Sequence, residues 1–466
     1  MVGPDEPRYA SIGREMARSG DWVTPRLWGS PWFEKPPLIY WMTALATRAG
    51  LDEDTAPRLP VALASLAFLL FYFRLLRREF GPAPALYATV MLATCAGWVG
   101  YSHIGATDLP MTAAFAAAML LSLGWVARGE RKGLVAAGAL LGLAVLAKGL
   151  VPLALAVPLW WMGRKRLRDW VVPGVVLLLV AGPWYAAMTL RHGWAFIDEF
   201  FVRHHFARLA SNSLLHGQPL WFYLPVFIAG VFPWTPMLLL AGRRRLYDDV
   251  RLRLLLAWAL FGLVLFSIST NKLPGYLLPL LPAAAALAGV SLAEIKQAKW
   301  WLGSVALLLL LVPPAAQVLP FALAAGLSRA PWPRIDWFWI PAALLVAGAC
   351  WWLEARGRRR GAVLLLGGVM VAGVAALQWT TLAGIDRMVS ARPLWRTIRD
   401  RSDQVCVDRM HRSWRYGLNY YSGVPLPECA TAPRPLRIEQ TPGRPPYVAP
   451  ESPTPSISST RPESSR

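Results

Sequence analysis

The ionisable residues of this chain lie in short motifs between long apolar stretches. These motifs combine carboxylates, which can accept a proton, with lysine and arginine, which bind phosphate oxygens. Prolines follow several of them, and proline interrupts a helix and leaves backbone groups without helical partners. The motifs are DEPRY with Asp5, Glu6 and Arg8, FEKPP with Glu34 and Lys35, GATDLP with Asp108, AKGLVP with Lys148, VRHHFARL with His204, His205 and Arg208, HGQPLWFY with His216, and NKLPGYLLP with Lys272 and Tyr276.

The FEKPP motif, residues 33–37, places a carboxylate and an ammonium directly before two prolines. A proline biases the residue before it toward extended backbone, and it is tolerated in the first turn of a helix. Glu34 and Lys35 should therefore be fixed at the entrance of a helix that starts at Pro36. Because neighbours in an extended segment point to opposite sides, we expect Lys35 to face a ligand phosphate and Glu34 to face something else.

The elements that position these motifs are membrane helices. Of the 466 residues, 55% are hydrophobic and only 16% are charged, whereas soluble domains carry about 25% charged residues. Apolar runs long enough to cross a bilayer recur along the chain and predict an all-α polytopic membrane protein of about 12 spans. The predicted spans are 55–79, 81–101, 110–127, 133–147, 150–163, 169–190, 219–240, 251–269, 275–293, 299–323, 336–354 and 361–383.

The net charge of +21 does not indicate a nucleic-acid partner, because the basic residues form short clusters in every second loop. This is the cytoplasmic excess of lysine and arginine that sets membrane topology. The remaining loops then face the opposite side together, and they hold almost all of the polar motifs. Since ionisable groups near membrane depth are costly and mark working cavities, the pattern predicts a site near the membrane surface, reached from the extracytoplasmic side.

Four regions follow from this pattern. Residues 1–54 form an outside loop with two surface helices, one over PRYASIGREMARSG and one over residues 36–48, and residues 55–383 form the transmembrane domain. Residues 384–436 form a small extracytoplasmic unit with strand, helix and strand over QVCVDRM, SWRYGLNYYSG and VPLPEC, and residues 437–466 are compositionally disordered. Cys95 and Cys350 should pack as small hydrophobes, while Cys406 and Cys429 either form a disulfide or stay free.

Taken in order, DEPRYASIGREMARSGDWVTPRLWGSPWFEKPPLIYWMTALA, GATDLP, LAKGLVP, GPWYAAMTLRHG, FFVRHHFARL, HGQPLWFY and NKLPGYLLPLLP resemble the bacterial lipid A aminoarabinose transferases. These belong, with the protein O-mannosyltransferases, to the GT-C class of polyprenyl-phosphate-sugar glycosyltransferases. The resemblance covers residues 4–285 by motif and the rest by helix count. It implies inverting transfer of a sugar from an undecaprenyl monophosphate carrier to a lipid, glycan or protein acceptor, at the inner (plasma) membrane and on its extracytoplasmic face.

The resemblance also implies site residues. The essential aspartate of the family falls on Asp5, in an acidic pair with Glu6, and is expected to activate the acceptor hydroxyl or orient an acceptor phosphate. The lysine of the FEKPP-type motif falls on Lys35 and is expected to hold the donor phosphate, with Arg8 sharing that anion. A second-loop aspartate falls on Asp108.

We assign the donor phosphate also to Lys148 and Tyr276. Members of the family can bind a divalent ion through the residues that correspond to Glu34 and His216, although one carboxylate and one imidazole make a thin metal site. The family has a span before its acidic loop, whereas Met1 precedes Asp5 by only four residues here, so we expect the natural start to lie upstream.

Other interpretations remain open from the residues alone. Asp5 and Arg8 can form an ordinary helix pair, Asp108 can cap a helix, and Lys148 can reach to the interface. Glu34 and Lys35 can be solvated turn residues, and the histidines can contact lipid head groups or be structural. A polytopic lipid or solute transporter and a non-catalytic relative that binds the carrier lipid are the alternative functions.

Overall fold

The computed structural model describes residues 1, 3–207, 218–334 and 336–449, without the side chains of 204–207. These residues are mainly helical. The α-helices are α1 Asp5–Ser19, α2 Leu38–Arg48, α3 Leu59–Phe80, α4 Pro82–Thr94, α5 Ala96–Tyr101, α6 Asp108–Leu121, α7 Leu123–Arg128, α8 Lys132–Lys148, α9 Val151–Leu155, α10 Val157–Gly163, α11 Val171–Ile197, α12 Tyr223–Val231, α13 Val250–Ile268, α14 Leu281–Glu294, α15 Lys299–Leu308, α16 Val312–Ala325, α17 Trp339–Ala355, α18 Arg359–Val389, α19 Arg392–Ile398 and α20 Arg412–Ser422.

Short 3₁₀ and π segments connect or extend several of these helices. The 3₁₀ segments are Leu167–Trp170, Leu220–Phe222, Thr235–Gly242, Arg244–Asp248, Pro274–Leu280, Leu309–Leu311, Leu327–Arg329 and Arg399–Gln404, and the π segment is Asp198–Ala207. The strands are β1 Arg26–Leu27, β2 Ser30–Pro31, β3 Val405–Val407, β4 Leu436–Glu439 and β5 Tyr447–Ala449.

Seven helices in the described part of the chain are long and apolar enough to cross a membrane, and an eighth span results if one bent pair counts as a single span. The predicted all-α polytopic architecture is confirmed, whereas the number twelve stays a prediction. Several predicted spans are divided into shorter helices, and 219–240 contains a bend of 112° between Leu220–Val231 and Thr235–Gly242. The predicted span 81–101 is interrupted at Cys95, whose backbone is extended, and 150–163 is interrupted at Ala156.

Two membrane helices form the centre of the fold. The segments Asp108–Arg128 and Pro274–Glu294 have 78% and 89% of their most apolar stretch buried inside the protein, whereas the other five candidates have 17–33%. Both are rich in alanine, which lets neighbouring helices approach closely. Asp108 and Tyr276 lie near the start of these two central segments, so the two most deeply buried membrane helices carry them.

The structure contains both of the helices that the sequence predicts for the first loop, α1 and α2. Helix α1 has carboxylates in its first turn and ends at Gly20, which adopts φ 73°, the left-handed conformation that favours glycine. Tyr9, Ile12 and Met16 form one buried face of α1, as the spacing predicts. The two helices touch at Gly13, where a Cβ atom would lie 2.6 Å from Cβ of Thr43.

The carboxyl-terminal unit is a three-stranded sheet with one helix, α20. Strand β4 pairs in parallel with β3 and antiparallel with β5. The prediction of a strand over VPLPEC is wrong, because this segment makes only one bridge, Val407 to Glu428, and its two prolines cannot donate ladder hydrogen bonds. The tail boundary at residue 437 is also too early, since β4 and β5 extend to Ala449, and the boundary at residue 384 falls inside α18.

The carboxyl-terminal unit contains a disulfide and is hydrogen-bonded to the first loop. Cys406 and Cys429 form a disulfide, while Cys95 and Cys350 are buried and free. The Tyr421 hydroxyl donates to Asp54 at 2.8 Å, so the unit is tied to the loop that follows α2. It therefore lies directly beside the motifs of residues 1–54.

Candidate active site

Arg8 connects the two motifs of the first loop. Its Nη2 donates to Oδ1 of Asp5 at 2.6 Å, and its Nη1 lies 3.0 Å from Oε2 of Glu34. The Arg8 and Glu34 side chains are only 10% and 7% exposed, whereas Asp5 is 49% exposed. A guanidinium with two carboxylate partners forms strong, directional hydrogen bonds. Arg8 thus holds the DEPRY and FEKPP motifs against each other and leaves Asp5 half-exposed at the protein surface.

Lys35 lies on the same side of the FEKPP motif as Glu34. Its Nζ is 3.6 Å from Oε1 of Glu34, and its side chain is 16% exposed. The expectation that the two side chains diverge is therefore wrong. The chain bends at Glu34 and Lys35 instead of staying extended, and this bend lets the ammonium reach back to the carboxylate. Arg8, Glu34 and Lys35 consequently form one charged group with Asp5 at its exposed edge.

Three aromatic rings surround the guanidinium of Arg8. Its Cζ lies 5.3 Å from the ring centres of Tyr9 and Trp32 and 5.7 Å from that of Tyr416. Burial by itself lowers the pKa of Arg8, but the carboxylates of Glu34 and Asp5 outweigh burial and raise the pKa above its usual value. Arg8 therefore stays charged, and the rings restrict it to one position.

Tyr416 belongs to α20 of the carboxyl-terminal unit, and the sequence analysis did not identify it. Its ring also packs at 5.6 Å from Trp28 in the turn between β1 and β2. In the sequence, Tyr416 is one of several aromatic residues in SWRYGLNYYSG, and no spacing rule distinguishes it from the others. The tertiary contact is what gives it a place at the site.

Glu6 does not join the Asp5 group. Its carboxylate accepts Nε and Nη2 of Arg58 at 2.7 and 2.8 Å and the amide N–H of Gly105 at 3.1 Å, and it is 1% exposed. Burial would raise the pKa of Glu6, but the hydrogen bonds and charge of Arg58 outweigh it and lower the pKa. The structure thus separates the predicted acidic pair, with Asp5 at the surface and Glu6 in a buried contact between the first loop and the Gly105 segment.

Asp108, Lys148 and Tyr276 form a second group at the ends of the central helices. Nζ of Lys148 donates to Oδ1 of Asp108 at 2.5 Å and lies 4.8 Å from the centre of the Tyr276 ring. Asp108 is the first residue of α6 and makes no capping hydrogen bond there, and the Lys148 side chain is only 10% exposed. Asp108 and Lys148 therefore form an ion pair with each other, instead of capping a helix and reaching to the membrane interface, respectively.

Gly275 lies against this second group. A Cβ atom at Gly275 would meet the Tyr101 hydroxyl at 2.7 Å and Oδ1 of Asp108 at 3.0 Å, distances too short for an ordinary contact. The absence of a side chain at this position lets the segment before α14 approach α6. The two charged groups also act on each other, because the Asp5 carboxylate lies within electrostatic range of Lys148 and Tyr101.

The predicted metal site receives no support from the residues that the structure describes. No group of three or more His, Cys, Asp or Glu side chains among them is placed to hold a metal ion. The Glu34 carboxylate faces two cations, Arg8 and Lys35, which is the environment of an ion pair. His216, with Arg208, lies outside the described residues, so metal binding by Glu34 and His216 stays a prediction.

Comparisons with known proteins identify the family and the fold. Residues 34–185 match the dolichyl-phosphate-mannose-protein mannosyltransferase family. The structure is similar to that of ArnT from Cupriavidus metallidurans bound to undecaprenyl phosphate, with a TM-score of 0.70, 28% identity and coverage of 91% of this chain and 81% of that chain. The apo form of the same protein gives a TM-score of 0.71 at 26% identity, with coverage of 95% and 82%.

Curated relatives extend the comparison. The undecaprenyl phosphate-alpha-4-amino-4-deoxy-L-arabinose arabinosyl transferase of Edwardsiella ictaluri is 35% identical over 304 residues, which are 61% of this chain and 54% of that protein. The chain thus spans about half of that relative's length. The protein of the same name from Erwinia tasmaniensis is 32% identical over 410 residues, 79% of this chain and 72% of that protein. With helical architecture, charged loop motifs and this extent of identity in agreement, the chain belongs to the undecaprenyl phosphate-alpha-4-amino-4-deoxy-L-arabinose arabinosyl transferase family, within the GT-C glycosyltransferases.

Proposed function

We propose that the chain is a membrane glycosyltransferase that moves one sugar from a polyprenyl monophosphate carrier to an acceptor hydroxyl of a lipid, glycan or protein. The observation that carries this proposal is the contact of Arg8 with both Asp5 and Glu34, at 2.6 and 3.0 Å. This contact supports the proposal because it joins the half-exposed Asp5 carboxylate to the Glu34 carboxylate, which the Lys35 ammonium contacts. A base and a phosphate-binding cation side by side are what glycosyl transfer from a phosphate donor requires.

The donor follows from the relatives. Their names specify undecaprenyl phosphate-alpha-4-amino-4-deoxy-L-arabinose, and the structure of the Cupriavidus metallidurans protein contains undecaprenyl phosphate. We therefore propose undecaprenyl phosphate as the carrier and 4-amino-4-deoxy-L-arabinose as the first sugar to test. Lipid A is the first acceptor to test.

Lys35 is proposed to bind the donor phosphate. Its ammonium lies 3.6 Å from the Glu34 carboxylate, and a compact ammonium suits the phosphate of the donor as well as the more highly charged phosphate monoester that is released. Arg8 is already held by two carboxylates, so we assign it the positioning of Asp5 and Glu34 rather than the main phosphate contact.

Asp5 is proposed to act as the general base. One of its oxygens accepts from Arg8, and the side chain is exposed enough to receive an acceptor hydroxyl. The acceptor oxygen attacks the anomeric carbon as its proton passes to Asp5, and the bond from that carbon to the phosphate oxygen breaks. The bonding electrons leave with undecaprenyl phosphate, and the configuration of the sugar is inverted.

Lys148, Asp108 and Tyr276 are proposed to form the deeper wall of the same site. The charge of Lys148 is already offset by Asp108 at 2.5 Å. Lys148 is therefore proposed to hold Asp108 and the Tyr276 ring in place and to attract the donor phosphate only weakly. Glu6 is proposed to be structural, because both of its oxygens are occupied by Arg58 and Gly105.

We assign this site to the extracytoplasmic face of the inner membrane. Asp108 begins and Arg128 ends a helical segment of 21 residues, which spans about 30 Å at 1.5 Å per residue. The basic loop that follows Arg128 then lies at the other face, where the positive-inside rule places the cytoplasm.

The test uses purified protein in nanodiscs, with undecaprenyl phosphate-linked aminoarabinose and lipid A, and measures the released undecaprenyl phosphate by mass spectrometry. We expect Asp5→Asn to lower turnover by about 10²- to 10⁴-fold while carrier binding is retained. Lys35→Gln should weaken carrier binding by roughly tenfold or more, since it removes one charge-assisted contact. Asp403→Asn and Lys132→Gln, both at exposed positions, are matched controls that should behave as wild type.

Three results would contradict the proposal. Turnover by Asp5→Asn equal to that of the wild type would show that Asp5 is not the general base. Tight carrier binding by the wild type without transfer to any lipid, glycan or protein acceptor would indicate a non-catalytic relative. Movement of the carrier lipid across the bilayer without sugar transfer would indicate a transporter.

A further inference from the structure

A cluster of cations surrounds a cavity at the end of the central helices opposite to Asp108. The cavity has a volume of about 550 Å³ and lies between the loop that follows α7 and the loop that precedes α11. Five of its lining residues are cationic and one is acidic. The charged residues are Arg131, Arg164, Lys165, Arg166, Arg168 and Asp169.

The acidic residue of this cavity does not neutralise the cluster. Asp169 is already paired with Arg131 at 2.7 Å and accepts the indole N–H of Trp125 at 2.8 Å, and its side chain is 7% exposed. Among the described residues, the other four cations have no carboxylate within ion-pair distance. They therefore present a concentrated positive charge to whatever enters the cavity.

Two of these cations are held in position. Arg164 Nη1 donates to the carbonyl of Trp161 at 2.9 Å, and its guanidinium lies 4.5 Å from the Trp161 ring centre. Arg166 Nη1 donates to the carbonyl of Trp125 at 3.3 Å, and its guanidinium lies 5.7 Å from that ring. Contacts to carbonyls and aromatic faces orient the guanidinium groups without cancelling their charge.

The surroundings place the cavity at the boundary between water and hydrocarbon. Trp161 is 66% exposed and Leu167 is 70% exposed, and the first residues of α11, Val171 and Val172, are 62% and 56% exposed. Exposed tryptophan beside exposed aliphatic residues and arginine is typical of the head-group level of a membrane. A lipid phosphate lies at this depth.

From the charge, the cavity and its depth, we infer that this cluster, here called the basic cavity, binds the phosphate of an anionic phospholipid head group. The site lies on the membrane face opposite to Asp5 and is independent of the proposed glycosyl transfer. Anionic lipids also attract any basic surface near a membrane. A specific site differs in that it depends on the cations lining the cavity and not on the total charge of that face.

The experiment compares two double variants of the full chain. Lys165→Gln with Arg168→Gln removes two cations of the basic cavity that have no ion pair among the described residues. Arg244→Gln with Arg245→Gln removes two exposed arginines near the start of α13, at the same end of the helices. Native mass spectrometry of protein in micelles that contain phosphatidylglycerol or phosphatidylcholine measures bound lipid, and melting in phosphatidylcholine verifies that both variants fold.

We expect the cavity variant to lower phosphatidylglycerol affinity by roughly tenfold or more, because it removes two charge-assisted contacts to the head-group phosphate. The control variant should change it less than twofold, and phosphatidylcholine should bind weakly to all three proteins. Equal loss in both variants, or no loss in the cavity variant, would overturn the inference. Displacement of phosphatidylglycerol by millimolar inorganic phosphate would also overturn it, since the cavity would then be a site for a soluble anion.

Discussion

The contact between Glu6 and Arg58 gives the sharpest test of how the first loop is positioned. Glu6→Gln removes the charge of a carboxylate that is 1% exposed and leaves its Arg58 partner, 30% exposed, without a counter-ion. Breaking a buried ion pair by removing one member costs about 3–5 kcal/mol. Because Arg58 can recover part of its hydration, we expect a loss of about 2–3 kcal/mol in the free energy of unfolding.

A double-mutant cycle isolates this interaction. The single variants Glu6→Gln and Arg58→Met should each destabilise the protein, whereas the double variant should be less destabilised than the sum, with a coupling of about 2 kcal/mol. Stability is measured in detergent by the fraction of protein that remains monodisperse after heating. Arg18→Gln, at an exposed position of the same helix, is the control and should lie within about 0.5 kcal/mol of wild type.

The pH dependence has a definite sign. The pKa of Glu6 is lowered in the folded protein, so its stabilisation is present above the unfolded pKa of about 4.3 and is lost as the pH falls through the folded value. Wild type should therefore lose stability below about pH 4.3 more steeply than Glu6→Gln. If Glu6→Gln were as stable as the wild type but had much lower turnover, the structural role would be refuted and Glu6 would be a candidate catalytic residue again.

Three further outcomes follow from the site. Gly275→Ala should lower stability by about 1–3 kcal/mol and reduce turnover by displacing Asp108. Gly100→Ala, at a helical position with open space around its Cβ, should leave stability unchanged or raise it by up to about 1 kcal/mol, and equal melting temperatures of the two variants would contradict this. Tyr416→Leu should reduce turnover about fivefold through loss of the ring beside Arg8, and Tyr416→Phe should restore it; identical losses would assign the effect to the hydroxyl. Reduction of the carboxyl-terminal disulfide, which closes a loop of 23 residues, should destabilise that unit by about 3 kcal/mol, measured by protease resistance, and unchanged resistance would mean that packing alone holds it.

Local features of the fold were predictable because they depend on neighbouring residues. Apolar runs identify the membrane helices, and the proline pair of FEKPP together with the spacing of Tyr9, Ile12 and Met16 predicts α1 and α2. Span counting was less secure, since a short apolar run can be one helix or two helices with a break, as at Cys95. The carboxyl-terminal strands were misplaced because β4 is defined by its partner β3 and not by its own composition.

The sequence by itself determined that this is a helical membrane protein, since hydrophobicity and helical periodicity are properties of contiguous residues, and it predicted that the polar motifs share one face. Only the tertiary structure decided which charges meet. Arg8 could pair with several carboxylates but joins Asp5 to Glu34, and Glu6 takes Arg58, a partner 52 residues away. Ion pairs and aromatic contacts such as Tyr416 with Arg8 follow from the approach of distant segments, and that approach is set by the packing of the helices and the carboxyl-terminal unit as a whole.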